Sequence, residues 1–389
     1  LKAPGLPGSR GGPPPPGARA MEGAPAADAV EVRWMSGEAT RWEAIGTVGD
    51  LARDLALLKG LPKWADLQLL AGGDRLDPGQ HLRDLGRPLT AVVTLPHLAI
   101  SGSGDRVLRL WDLGAGRRLG ELRGGHAAAV HAVCADFARL RAASGGGDGA
   151  ICVWDLGTSS CTGTLTSRTG PVLALDANFR HGVLLSGGSD HVLRLWDLEA
   201  WTCRACLPGH YGGVQGIAGG GLWEGRAVSA SLDHTLRVWG NVGAGGGEPF
   251  CSAVLAGHAG GVRAVAADFQ RGRAVSGAND HTLRLWELEG GTCLAVLEGH
   301  TWPVVSLAVS FELGRAVSGS GQGIQKVWDI NELKEVGTLI GHTGLVSVAA
   351  DHARGLAASG GEEGSIRVWD VGSLECVMTL DAHAGPVHA

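Results

Sequence analysis

A chain of 389 residues has room for one large domain and a smaller one. Its 33 basic and 39 acidic residues give a net charge of −6 with no basic stripe, which disfavours direct nucleic-acid binding. No run approaches the ~18–20 apolar residues of a membrane span. No signal-peptide pattern opens the chain and no Asn-x-Ser/Thr acceptor occurs, so the expectation is an intracellular protein, cytoplasmic or nuclear, with no membrane partner.

Residues 1–29 are rich in Pro, Gly and Ala, with a Pro13–Pro16 run, and cannot bury enough apolar surface to offset ordering; disorder is expected. Residue 1 is not Met and Met21 closely precedes the first strand-like pattern, which leaves open whether residues 1–20 are native.

Residues 30–95 read as a compact α+β unit. Val30–Met35 and Thr40–Ile45 alternate as two strands. Thr47 then opens a helix carrying Val48, Leu51, Leu55 and Leu58 at spacings of three and four, and Gly60 and Pro62 stop it. Leu67–Leu70 and Leu89–Leu95 supply further strands, with Leu76, Leu82 and Leu85 between them.

This order resembles the ubiquitin-like (β-grasp) fold, most specifically at Thr47…Gly60-Leu61-Pro62, at Leu69-Leu70-Ala71-Gly72-Gly73-Asp74-Arg75-Leu76 and at Leu82-Arg83-Asp84-Leu85. After Leu95 the chain continues as Pro96-His97-Leu98, with no free Gly-Gly terminus, so conjugation to a substrate is not expected. The resemblance implies a docking surface instead, with Leu69 at the position of the family's main apolar contact; the alternative is that Leu69 packs on the second domain.

From residue 96 to 389 one pattern recurs. Trp111, Trp154, Trp196, Trp239, Trp286, Trp328 and Trp369 are separated by 43, 42, 43, 47, 42 and 41 residues, the period of a four-stranded propeller blade. Gly243–Pro249, a loop insertion, accounts for the longest interval. Asp follows five of the tryptophans, and Gly240 and Glu287 follow the other two. Ten residues before each lies a serine (Ser101, Ser144, Ser186, Ser229, Ser276, Ser318, Ser359). Six before it lies Asp105, Asp148, Asp190, Asp233, Asp280 or Glu363, with Gln322 the exception. Gly-His dipeptides farther upstream supply His126, His210, His258, His300 and His342.

The pattern resembles the WD40 repeat family over about 290 residues. The resemblance implies a mainly β fold, a seven-bladed WD40 β-propeller behind the small ubiquitin-like domain. It also implies that His, Ser, Asp and Trp of each blade form a hydrogen-bonded chain fixing strand register. Complete sets are His126/Ser144/Asp148/Trp154, His210/Ser229/Asp233/Trp239 and His258/Ser276/Asp280/Trp286. The third blade lacks its histidine at Ser167-Arg168-Thr169, the sixth has Gln322 and the seventh Glu363; those three blades are expected to be softer.

Ser, His and Asp together suggest a hydrolase, but a catalytic triad occurs once and this set repeats, so a non-enzyme is expected. Gly-rich Ser144–Asp148 has no Gly-Lys and reads as a turn needing positive φ, not a phosphate loop. His191, His234 and His281 sit at repeat-equivalent turn positions and read as solvated residues; no metal or cofactor is implied. Cys161, Cys203, Cys293 and Cys376, each seven residues after a repeat Trp, read as small buried apolar residues rather than disulfide or zinc ligands, and the Cys203…Cys206 pair adds no second C-x-x-C.

Binding candidates are residues that break the repeat. Trp34, Trp42, Trp64, Trp201, Trp223 and Trp302 are not blade markers. Trp302 and Tyr211 follow the Gly-His turns on the rim that the family commonly uses, and large aromatics there make interface anchors. The function expected is a non-catalytic scaffold or adaptor binding other proteins within a multiprotein complex. Alternatives are a ribosome-assembly factor similar to Notchless, or a substrate receptor of a cullin-type ubiquitin ligase. The second is weakened because Gly114, Gly157, Glu199, Asn331 and Gly372 stand where such receptors carry Arg. One seam remains open. The first blade's inner strand must come from Leu89–Thr94 or from the segment Asp381–Val387, which starts another repeat before Ala389; the latter reading takes the chain as truncated within a repeat.

Overall fold

The computed structural model describes residues 29–34, 39–43, 47–59, 61–62, 65–71, 74–85, 89–94, 97–167, 169–219, 225–243 and 247–389. Expectations for the segment 1–28, and for Gly60, Trp64, Arg168 and Trp223, lie outside the described residues. The chain divides into two compact units at Leu98/Ala99.

In the first unit, β1 (Ala29–Trp34), β2 (Ala39–Glu43), α1 (Val48–Leu58), β3 (Asp66–Ala71), β4 (Asp74–Arg75) and β5 (Leu89–Thr94) follow in chain order. The five strands form one sheet in the order β2-β1-β5-β3-β4, with β1 and β5 parallel and β3 antiparallel to β5. A reciprocal capping box starts α1: the Asp50 N–H donates to Thr47 Oγ1 (3.2 Å) and the Thr47 N–H to Asp50 Oδ2 (3.0 Å). The helix buries Val48, Leu51 and Leu55 against Val32, Leu82, Leu89 and Ala91.

Leu69 belongs to that core. Only 2% exposed, it packs inside its own unit and presents nothing to a partner, which corrects the expectation placed on it. Side chains alternate across a strand, so Leu67, Leu69 and Ala71 face the core, whereas the neighbouring Leu70 points to the opposite face and is half-buried.

The second unit holds six four-stranded antiparallel sheets and one three-stranded sheet among the described residues. In the Trp154 sheet the order from innermost to outermost is Val130–Asp136, Arg141–Gly146, Ala150–Asp155 and Ser160–Thr166. The third strand is nearly all buried and the outermost mostly exposed. Each sheet has a register shift beside its tryptophan, the outermost strand carrying one extra residue. Cys161, Cys203, Cys293 and Cys376 lie opposite the tryptophan at that bulge: all four are exposed, not buried as expected, and all are free thiols.

The apolar cores lie between sheets. Ile151, Val153 and Leu165 pack with Leu184, Trp196 and Leu198 of the following sheet, and equivalent clusters join the later pairs. Ile366 and Leu380 of the last four-stranded sheet pack with Trp111 of the three-stranded one, joining the last sheet to the first.

The missing inner strand of the Trp111 sheet comes from the other end of the chain. Val387 bridges Ser103, the Gly102 N–H donates to the Ala389 carbonyl (2.7 Å) and the Gly104 N–H to the Pro386 carbonyl (2.9 Å). Leu89–Thr94 is committed to the first unit's sheet, paired with β1 and β3.

Candidate functional site

The polar chain is present in these sheets with near-constant geometry. In the Trp239 sheet the indole N–H donates to Ser229 Oγ (2.8 Å) and Ser229 meets His210 Nε2 at 2.7 Å. His210 Nδ1 in turn lies 2.8 Å from Asp233. Trp286, Ser276, His258 and Asp280 repeat this at 2.8 Å throughout. Trp154, Ser144, His126 and Asp148 repeat it at 2.8, 2.7 and 3.3 Å. With the indole donating, Ser Oγ–H is free to donate to Nε2, which leaves Nδ1–H to donate to the carboxylate.

Burial depresses the His210 and His258 pKa values, opposed by their carboxylate partners. Burial alone would raise the Asp233 carboxyl. Hydrogen bonds from Thr235, the Tyr211 N–H and His210 outweigh it and hold the group at about 2.

The sheets that depart from the pattern do so in different ways. In the Trp111 sheet, His383 supplies the histidine: Nε2 lies 2.7 Å from Ser101 Oγ and Nδ1 3.0 Å from Asp105. In the Trp196 sheet, where no histidine is present in the polar chain, Thr169 donates to Asp190, which also pairs with Arg194 at 2.6 Å. The Trp328 sheet keeps His300 on Ser318 (2.7 Å), but Gln322 offers no charge. Burial and the nearby Lys326 lower His300 to about 4. The Trp369 sheet is not depleted as expected, because the longer Glu363 still reaches His342 Nδ1. Ser, His and Asp serve as strand-register bonds here, repeated around the sheets with each Oγ already engaged by an indole.

The tight turn after Asp105, Asp148, Asp190, Asp233, Asp280, Gln322 and Glu363 is also uniform. Arg106, Gly149, His191, His234, His281, Gly323 and Gly364 take φ of 68, 74, 69, 72, 69, 88 and 83°. His191, His234 and His281 therefore hold a turn geometry that glycine fills elsewhere. Among the described residues no group of three or more His, Cys, Asp or Glu side chains is arranged for a metal ion.

Two aromatics stand out from the Gly-His turns. Tyr211 is 87% exposed and Trp302 51% exposed. The Tyr211 N–H donates to Asp233 (2.9 Å), so its backbone is fixed by the buried chain while the ring faces solvent. Trp201, also outside the repeat pattern, lies over Gly163 of the neighbouring sheet and is a packing residue. Trp34 and Trp42 sit on β1 and β2.

A family model described as "WD domain, G-beta repeat" matches residues 116–155, 159–197, 201–240, 249–287, 291–329 and 333–370, more than half of the chain. Each match begins just before the outermost strand of one sheet and ends with the third strand of the next, so every repeat stitches two sheets together. Among solved structures, the crystal structure of the computationally designed Ika8 protein aligns with a TM-score of 0.59 and 26% identity. The alignment covers 75% of this chain and 86% of that one. No curated protein matches the chain.

Proposed function

The chain belongs to the WD40 repeat family, and from that premise we propose that it is a non-catalytic scaffold in which the Tyr211–Trp302 sector of a seven-bladed propeller docks a partner protein. The observation that carries this reading is the exposure of two large aromatics beside the Gly-His turns, with the Tyr211 backbone held from beneath by Asp233. Such residues lose little conformational freedom on binding and bury much area, as interface anchors do. Leu232, exposed in the turn just before Asp233, adds apolar surface to the same rim.

We read residues 30–95 as a ubiquitin-like domain. The sheet order β2-β1-β5-β3-β4 with parallel β1 and β5, and a helix capped at Thr47, support this. Its outward apolar residue on β3 is Leu70. A WD40 propeller behind such a domain keeps the ribosome-assembly role in view alongside that of a ubiquitin-ligase receptor. No helix among the described residues is long and apolar enough to cross a membrane, and we place the protein inside the cell, acting on proteins rather than nucleic acid.

Affinity purification of the wild-type chain and of the Y211A/W302A variant, with quantitative mass spectrometry, tests the reading. Partners lost from the variant while it stays folded support the rim. Pre-ribosomal proteins or cullin subunits among them would choose between the two roles. Identical partner sets would refute the rim assignment.

A further inference from the structure

The position two residues before each sheet tryptophan is basic in six of the seven sheets: Arg109, Arg194, Arg237, Arg284, Lys326 and Arg367. Three of these are neutralised from within. Arg109 Nε lies 3.1 Å from Glu121 on the outermost strand, Arg194 pairs with Asp190 at 2.6 Å, and Lys326 pairs with Glu335 at 2.6 Å. The other three make no ion pair among the described residues, and each has its Nε buried without a hydrogen-bond partner.

Neighbouring side chains explain the difference. In the Trp239 and Trp286 sheets the carboxylate that could have served is already engaged, Asp233 by His210 and Thr235, and Asp280 by His258 and Thr282. Across the strand pair, Arg109 faces Glu121, whereas Arg237 faces Val254 and Arg284 faces Val296. Among the described residues the only side-chain acceptors these two guanidinium groups meet are thiols, Cys251 Sγ at 3.6 Å and Cys293 Sγ at 3.8 Å, and sulfur is a weak acceptor. Two cations on successive sheets thus hold planar N–H forks with no anion among the described residues. The flanking Val254 and Val296 are 48% and 43% exposed on outermost strands whose far edge is unpaired within the sheet.

We propose that Arg237 and Arg284, with Val254 and Val296, form a second docking surface on the outer edges of these two sheets, taking an extended acidic segment of a partner protein. Glutamate or aspartate carboxylates accept from the guanidinium Nη groups, and apolar side chains between them cover the valines. Arginine forks suit carboxylates geometrically, and an open strand edge suits an extended peptide. The apolar flanks favour such a segment over a nucleic-acid backbone.

The test uses fluorescence anisotropy with the full chain and a labelled Ser-Glu-Val-Ser-Glu-Val-Ser peptide, with Gln replacing Glu in the control. Saturable binding is expected. It should weaken by about tenfold or more for the Gln peptide and in R237M/R284M, the size of one charge-assisted hydrogen bond lost. It should survive in Y211A/W302A, which separates this surface from the rim. V254E/V296E places carboxylates where Glu121 stands opposite Arg109, so it should abolish peptide binding and raise the melting temperature. It also keeps the test open should R237M/R284M fail to fold. Absent saturable binding, equal affinity in R237M/R284M, undiminished binding in V254E/V296E, or displacement of the peptide by a single-stranded oligonucleotide would each overturn the proposal.

Discussion

Replacing Gln325 with leucine should stabilise the propeller. Gln325 is completely buried on the third strand of the Trp328 sheet, and neither its amide nitrogen nor its oxygen has a partner among the described residues. The equivalent position elsewhere holds Leu108, Ile151, Leu193, Leu236, Leu283 and Ile366, all buried in the cores between sheets. A buried polar group left unbonded costs ~1–3 kcal/mol. The two side chains are similar in volume, so the strain of repacking stays below ~1.5 kcal/mol. The net expected gain is about 1–2 kcal/mol, or roughly 2–8 °C in melting temperature for a unit of this size. Thermal unfolding followed by circular dichroism reads this directly. A fall in melting temperature on Q325L would mean that the amide is hydrogen-bonded in solution and the reasoning is wrong.

Trp286→Ala, which empties a fully buried site in a core between sheets, should cost ~3–5 kcal/mol. Trp302→Ala should change stability by less than ~0.5 kcal/mol and act only on partner binding; unfolding by Trp302→Ala would defeat the rim assignment. Stability should fall in two steps on acidification. His300, lowered from 6.5 to about 4 by burial, contributes stability that is present above pH 6.5 and lost as pH falls toward 4. Asp233, Asp105 and Glu363, each held at about 2 against ordinary values of 3.8, 3.8 and 4.5, contribute stability that is lost between about pH 4.5 and 2. His300→Gln should lessen, without abolishing, the fall in melting temperature between pH 6.5 and 4, because burial also lowers His210, His258 and His383; an unchanged profile would contradict the part given to His300. His383→Ala should destabilise the Trp111 sheet by ~1–3 kcal/mol, because Ser101 and Asp105 both lose a partner. Hydrogen exchange should rise first in residues 98–112 and 386–389, and a rise confined to other sheets would contradict closure there.

What the sequence made legible follows from what repeats. The Trp, Ser, Asp and His positions recur with fixed spacing because each serves the same hydrogen-bonded chain, so the strands and the chain could be read from one line of text. His383 escaped that reading because its partner Ser101 lies 282 residues away, and only closure of the sheets brings the two together. The same applies to the choice between Leu89–Thr94 and Pro386–Ala389 as inner strand, which hydrogen bonding decides. Leu69 and Leu70 differ by one step in a period-two strand, and composition cannot tell which of two adjacent leucines faces inward. The exposed cysteines lie on the mostly exposed outermost strands, and the unpaired arginines depend on cross-strand register; residue spacing tells neither. Tyr211 and Trp302 were legible as breaks in the pattern, and their exposure agrees with that.

Amide hydrogen exchange on the complex of this chain with a partner recovered by affinity purification tests the scaffold reading most directly. Protection is predicted in peptides spanning residues 209–213 and 300–304, around Tyr211 and Trp302, and should be lost in Y211A/W302A. A bound partner that leaves both segments exchanging at the free-protein rate would contradict it.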